Sequence, residues 1–303
     1  MKFGITYLYT ISKYGYPPSI ESDFESLKHL RDLGFHYLEM EGLGEKHTEG
    51  IWNNRKILKE KLEEYDIHIH NFCAVDPDLT SMDGKKRKAA YERFKKTAEI
   101  GVYLGTETLH LASYAPPVNY IGSSPYKLDE EYSLKDGYQL HIPEGFAWER
   151  VWECLVESCE FTAEVAREYG RTVIMEPRIG ELICSSDSIL RLIKDVNMPN
   201  FKANFDTGHF SAQRENVPLA LMKLKDQFAN IHIADNNPKD AKHITIGKGT
   251  IDWYEFFRIL KLMNYDSYLG IDLSEASTIE QDIKDSLEYI SKVCKDMDIK
   301  IEW

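Results

Sequence analysis

The stretch FKANFDTGHFSAQRENVPLALMKLKDQFANIHIADN, Phe201 to Asn236, carries the reading on which the fold turns. It opens on a short strand-forming run, FKANFD, passes through an amphipathic run, PLALMKLKDQF, and closes on a second strand-forming run, NIHIAD. Short strands separated by helices pair in parallel, because each helix returns the chain to the starting edge of the sheet.

The same unit repeats on both sides. Upstream, KFGITYLY, HYLEME, IHIHNFCAV, TETLHLASY and TVIMEP read as strands, and SYLGIDL follows downstream. Helical runs lie between them: SIESDFESLKHLRDLG, NRKILKEKLEEYD, KKRKAAYERFKKTAEIGVYLG, WERVWECLVESCEFTAEVAREYG, SDSILRLIKDV and DWYEFFRILKLMNY, with IEQDIKDSLEYISKVCKDM after the last strand. Val151, Leu155, Cys159 and Thr162 fall on one helical stripe, as do Phe256, Ile259, Leu260 and Met263. Gly34, Gly105 and Gly170 stand where left-handed residues close helices. Eight such units in 303 residues predict a single (β/α)8 TIM barrel spanning residues 1–303. An open doubly wound sheet would carry a glycine fingerprint after its first strand, and LYTISKYGYPP has none.

Residues 115–147, rich in Pro, Gly, Tyr and charge, break the rhythm after the fourth strand. A loop of this length at the C-terminal face of a barrel is expected to be a lid or pocket wall; a partner contact is the competing reading.

Composition narrows the function. The net charge of −13 repels phosphate backbones, which argues against a nucleic-acid partner. The five cysteines form no CxxC pair and read as reduced, buried residues. No apolar run long enough to span a membrane occurs, and a soluble cytoplasmic protein is expected.

Ionisable residues collect at the ends of the last four strands: Glu176 in VIMEPR, Asp206 in NFDTGH, His232 in NIHIADN and Asp272 in GIDLSE. Each sits in or just after an apolar run, where a charge is costly unless paired or ligated. Consecutive strand ends of a barrel converge at one face, so the four can meet. Three carboxylates repel one another without a cation, and with one imidazole they suit a hard to borderline divalent ion: Mn2+ foremost, or Mg2+, Co2+ or Zn2+. Singly, a strand-end acid is more often a cap and a strand His more often a core residue. Four in successive strands favour one metal site. Tyr7, Tyr9, Glu41, His70 and His110 lie near other strand ends and are candidates for the pocket wall. The run IGKGTIDW is read as a tight loop with Asp252 capping the next helix, ahead of the alternative of a phosphate cradle.

The series MEPR, FDTGH, HIAD, IGKGTIDW and GID resembles the sugar phosphate isomerase/epimerase family, the xylose isomerase-like TIM barrels, over nearly the whole chain. The resemblance implies one divalent metal held by Glu176, Asp206, His232 and Asp272. It implies that His209 contacts substrate hydroxyls and that Glu176 and Asp272 carry proton transfer through a metal-stabilised enediolate. Asp272 stands where ketose epimerases have Glu, one methylene longer. Glu181 is one residue out of place for a further family Glu, and Arg178 is noted as an anion or hydroxyl contact.

The expected activity is isomerisation or epimerisation of a sugar, keto-sugar or cyclitol. The alternative is a lyase of the same superfamily, resembling inosose dehydratases or the barrel subunit of C-glycoside deglycosidases, which act on oxidised sugars. The expected partner is a small carbohydrate. A homo-oligomer stays open, as does a small second subunit under the deglycosidase reading. A DNA-repair endonuclease shares the barrel but needs a basic groove and more His ligands. A sugar-binding barrel without catalysis is the non-enzymatic rival.

Overall fold

The structure, a computed structural model, describes residues 1–121, 132–133, 139–237, 240–274 and 277–303. Eight parallel strands close into one barrel: β1 (Lys2–Ile5), β2 (Tyr37–Leu43), β3 (His68–Val75), β4 (Thr108–Ala112), β5 (Thr172–Glu176), β6 (Phe201–Asp206), β7 (Phe228–Ile233) and β8 (Tyr268–Ile271). β1 pairs with both β2 and β8, which completes the ring.

Among the described residues, eight helices of eight residues or more surround it: α1 (Ile20–Asp32), α2 (Gly44–Tyr65), α3 (Gly84–Leu104), α4 (Trp148–Glu168), α5 (Ser186–Val196), α6 (Val217–Leu224), α7 (Trp253–Leu262) and α8 (Ile279–Asp296). Local chemistry starts and stops them. Ser185 caps α5 by accepting from the Ser188 backbone N–H, and Asp252 caps α7 by accepting from Glu255. Gly34, Gly105 and Gly170 have positive φ at helix ends. The stripe Val151, Leu155, Cys159 and Thr162 of α4 is buried.

Two of the departures from the expected bounds have a clear physical cause. The first strand was expected to run through Tyr9, but β1 ends at Ile5 and Leu8–Tyr14 is helical. Its partner β8 stops at Ile271, and the Thr6 N–H to Ile271 carbonyl bond is the last rung. Beyond it the backbone has no ladder to join, and the Ile11 N–H turns back to the Tyr7 carbonyl. α2 starts at Gly44, well ahead of Asn54, because His47, Thr48 and Ile51 already supply a buried face.

The barrel interior is polar where branched apolar layers are usual. Glu39 of β2 points inward and accepts four hydrogen bonds: from His70 Nε2 (2.9 Å) and Asn230 Nδ2 (2.9 Å) on Oε1, and from Asn71 Nδ2 (2.8 Å) and His232 Nε2 (2.8 Å) on Oε2. Both oxygens are thereby filled, which is how a buried carboxylate is tolerated.

The IGKGTIDW loop wraps a carboxylate of this chain. Asp235, just after β7, accepts from the backbone N–H of Gly247 (2.9 Å) and Ile251 (3.2 Å) and from Trp253 Nε1 (2.8 Å). A Cβ at Gly249 would lie 2.1 Å from Asp235 Oδ1, so only glycine fits there. N–H groups that a phosphate would need are already committed.

In the insertion, Asn119–Ile121 pairs antiparallel with Gln139–His141. Tyr132–Ser133 pairs antiparallel with Asp240–Ala241, so its backbone reaches the loop that follows β7. Residues 122–131 and 134–138, the central part of the segment expected to form a lid, lie outside the described residues.

Candidate active site

The register brings the upper ends of the strands to one face. His232 pairs with Asp206 across β7 and β6, and Asn204 Nδ2 of β6 donates to Glu176 Oε1 of β5 (2.8 Å). Strand alternation turns these side chains inward.

Glu176, Asp206 and His232 form a buried triad in which one ligand atom from each lies within 4.8 Å of the others. His232 Nδ1 is 2.8 Å from Glu176 Oε1 and 3.7 Å from Asp206 Oδ2. The two oxygens of Asp206 differ in role. Oδ1 accepts from the His209 backbone N–H (2.7 Å), capping the short helix Thr207–Ala212. Oδ2 is buried and has no hydrogen-bond partner among the described residues.

Asp272 joins no such triad among the described residues. Thr6 Oγ1 donates to its Oδ1 (2.5 Å), and its Oδ2 lies 3.5 Å from His243 Nε2. The same nitrogen is 3.4 Å from Asp206 Oδ1, so His243 stands between the two aspartates. Asp206, His209 and His243 form a second close triad, with the rings of His209 and His243 edge to face at 4.7 Å. A Cβ on Gly208 would lie 2.8 Å from His243 Nε2, so the glycine of the DTGH run is what lets this imidazole in.

The other residues singled out in the sequence occupy distinct places. His110 faces His232, ring centroids 5.4 Å apart. His70 sits deeper, bonded to Glu39 and stacked on Tyr268 at 4.2 Å. Arg178 Nε is 3.6 Å from Glu176 Oε2, and its Nη1 is 3.8 Å from Glu181 Oε1, while Glu181 Oε2 accepts from Ser113 Oγ (2.5 Å). The Tyr7 hydroxyl is buried, bonds Asp23 of α1 and lies 3.2 Å from His47 Nε2 of α2.

Two residues of this cluster were not singled out. Glu39 hides behind a strand pattern that cannot tell an inner polar layer from the mouth above it. His243 comes from a loop; its only trace is its place just ahead of the Gly-x-Gly element in AKHITIGKG.

Charge follows geometry. Burial alone would raise the Glu176 and Glu39 carboxyls, but His232 beside both holds them well below the usual range. Burial would likewise lower His232, yet Glu39 and Glu176 reverse this and hold it well above an ordinary histidine. His243 is lifted to about 9, since Asp206 and Asp272 outweigh its burial. His209 is pushed down to about 3 and His110 to about 4 by burial, so both are neutral. Asp272 is raised by burial and by the nearby Asp206 and Glu176 carboxylates.

The donor set fits a divalent cation. His232, held well above an ordinary histidine by Glu39 and Glu176, would share an Nδ1 proton with Glu176 Oε1, 2.8 Å away. A divalent cation in place of that proton would be held by His232, Glu176 and Asp206, whose Oδ2 has no hydrogen-bond partner among the described residues. Glu39, already full, would keep Nε2–H in place and so fix the ring.

Residues 27–293 match the sequence model described as xylose isomerase-like TIM barrel. An L-ribulose-5-phosphate 3-epimerase, UlaE of Escherichia coli, is 24% identical over 82% of this chain and 81% of its own. The 3-keto-D-glucoside 4-epimerase YcjR of E. coli superposes with a TM-score of 0.70 at 18% identity, covering 96% of this chain and 99% of that one. The IOLI protein, solved with a bound zinc atom, superposes at 0.71 and 18% identity over 98% and 99%.

Proposed function

The chain belongs to the xylose isomerase-like TIM barrel family, and from that premise we propose that it is a divalent-metal-dependent isomerase or epimerase of a sugar, keto-sugar or cyclitol. The observation that carries this reading is the buried convergence of Glu176, Asp206 and His232 around the unbonded Asp206 Oδ2. Glu176, Asp206 and His232 would hold the ion, with Asp272, whose Oδ2 lies 3.5 Å from His243 Nε2, as the fourth candidate ligand. Mn2+ suits this oxygen-rich set, as do Mg2+, Co2+ and Zn2+. A divalent ion there supplies electron withdrawal from a substrate carbonyl and the hydroxyl beside it, which acidifies the adjacent C–H.

The chain's own residues do the rest. Glu176 is placed to take that proton. His209, neutral and buried at the same mouth, is suited to hydrogen-bond substrate hydroxyls, and Arg178, beside Glu176 and Glu181, is the candidate anion or hydroxyl contact. A lyase of the same superfamily is the second reading. It is favoured by Asp272, whose Oδ1 is taken by Thr6 and which therefore makes a poor mirror image of Glu176. The five free cysteines fit a reducing, cytoplasmic setting.

The test is elemental analysis of the purified protein together with a keto-sugar and polyol panel, with and without chelator. Chelation is expected to abolish turnover. Glu176→Gln is expected to abolish it with the fold intact. A metal-free preparation that turns over at the full rate would overturn the reading.

A further inference from the structure

A proton returned to the opposite face of a substrate carbon needs a second carboxyl across the mouth from Glu176. Asp272 is poorly placed for it, being short and held by Thr6. The barrel offers another. β2 lies three strands from β5 round the ring, by way of β3 and β4, so its inward residues stand across the mouth from Glu176. Glu39 and Glu41 share the inward face of β2, two residues apart. Glu39 is saturated with hydrogen bonds, but Glu41, one step nearer the mouth and half-buried, makes no hydrogen bond or ion pair with any described residue. In register, Glu41 pairs with Cys73 and Cys73 with His110, so its backbone stands level with the imidazole that abuts His232.

We propose that Glu41 is the second proton-transfer carboxyl of this site, acting on the substrate face opposite Glu176. The proposal rests on the isomerase or epimerase reading above. In the step, Glu176 removes the proton from the carbon beside the carbonyl, and the C–H electron pair passes into the C–C–O system. The Glu41 carboxylic acid then donates its proton to the other face of the planar carbon and is left as carboxylate. Exchange with water restores both groups, and no oxidant or reductant is consumed. The electrostatics agree: burial, opposed by Arg178 and reinforced by Asp272, Glu176 and Glu39, lifts the Glu41 carboxyl to about 8.

The test compares wild type, Glu41→Gln and Glu176→Gln in D2O on fructose, psicose, tagatose and sorbose. Metal content and thermal unfolding are measured on the same preparations. Wild type is expected to place deuterium in both epimers. Glu41→Gln is expected to lose epimer formation by about 100-fold or more. It should still exchange deuterium into recovered substrate, with metal content and unfolding temperature at wild-type values. Glu176→Gln should lose epimer formation, with any remaining exchange confined to the epimer whose C–H faces Glu41. If Glu41→Gln epimerises at the wild-type rate while Glu176→Gln does not, Glu41 is not the second carboxyl, and the isomerase reading stands. Loss of metal or of folding in both Glu41→Gln and Glu41→Asp makes the residue structural and overturns the proposal. A wild type that neither exchanges nor epimerises any of these sugars or any member of the keto-sugar and polyol panel overturns the isomerase reading, and this proposal with it.

Discussion

His232 Nε2 lies 2.8 Å from Glu39 Oε2, and this one contact fixes which nitrogen of the imidazole faces the mouth. With Nε2–H tied down inside the barrel, Nδ1 is left for Glu176 and Asp206. A carboxylate buried within the barrel thus sets the geometry of the site.

Weakening that contact is expected to show first in metal binding. Glu39→Gln should lower the affinity of the purified protein for Mn2+ by about 10–100-fold. Glu39→Leu strands the partner groups of a buried network and should cost about 3–5 kcal/mol of stability. Competition against a chelating dye and urea unfolding read the two effects. Unchanged Mn2+ affinity in both variants would remove Glu39 from its orienting role.

Metal uptake should release protons. In the metal-free chain His232 is held well above its ordinary value by Glu39 and Glu176, so it carries a proton on Nδ1 at neutral pH. An incoming cation must displace it, and affinity is expected to rise with pH across the neutral range. Calorimetric titration in two buffers of different ionisation enthalpy counts the protons. About one released per ion is expected; none would contradict the bridging imidazolium.

Stability of the chelated protein should peak in mildly acidic solution. Glu39, Glu176 and Asp206 are depressed, so their contribution is present above ordinary values of 4.5 or 3.8 and is lost as pH falls through their folded values. His232 and His243 are raised, so theirs is full below the ordinary 6.5 and is lost as pH rises, through about 9 for His243. Glu41 adds stability that fades between 4.5 and about 8. Melting scans should therefore be highest between about pH 4.5 and 6.5. A flat profile from pH 5 to 9 would dismiss these shifts.

Two glycines separate steric need from chance. Gly208→Ala drives a Cβ to 2.8 Å from His243 Nε2 and should cost about 1–3 kcal/mol and most of the turnover. Gly50→Ala, inside α2 with open space around its Cβ, should be neutral or stabilising by up to about 1 kcal/mol. Equal effects in thermal unfolding would mean that His243 yields its place freely.

Asp235 is expected to be architectural. Asp235→Ala leaves the N–H groups of Gly247 and Ile251 and the Trp253 indole N–H without their acceptor. A loss of at least about 3 kcal/mol is expected by urea unfolding. Inorganic phosphate should not protect the wild type, as the loop N–H groups are already taken; protection would reopen the phosphate reading.

What local pattern determines was legible along the chain. Alternation of strand and helix, the glycines that end α1 and α3, and the Asp252 cap depend on neighbours a few residues away, and a barrel follows from their repetition. The positions of Glu176, Asp206 and His232 at strand ends were visible for the same reason. Tertiary structure alone decided the rest. β1 stops at Ile5 because β8, more than 260 residues later, offers no further rung. Glu39 takes its role from Asn71 and Asn230, and His243 enters the mouth because Gly208 leaves it room. Such contacts join residues far apart in the chain, and periodicity, a property of near neighbours, carries no record of which distant side chains will meet.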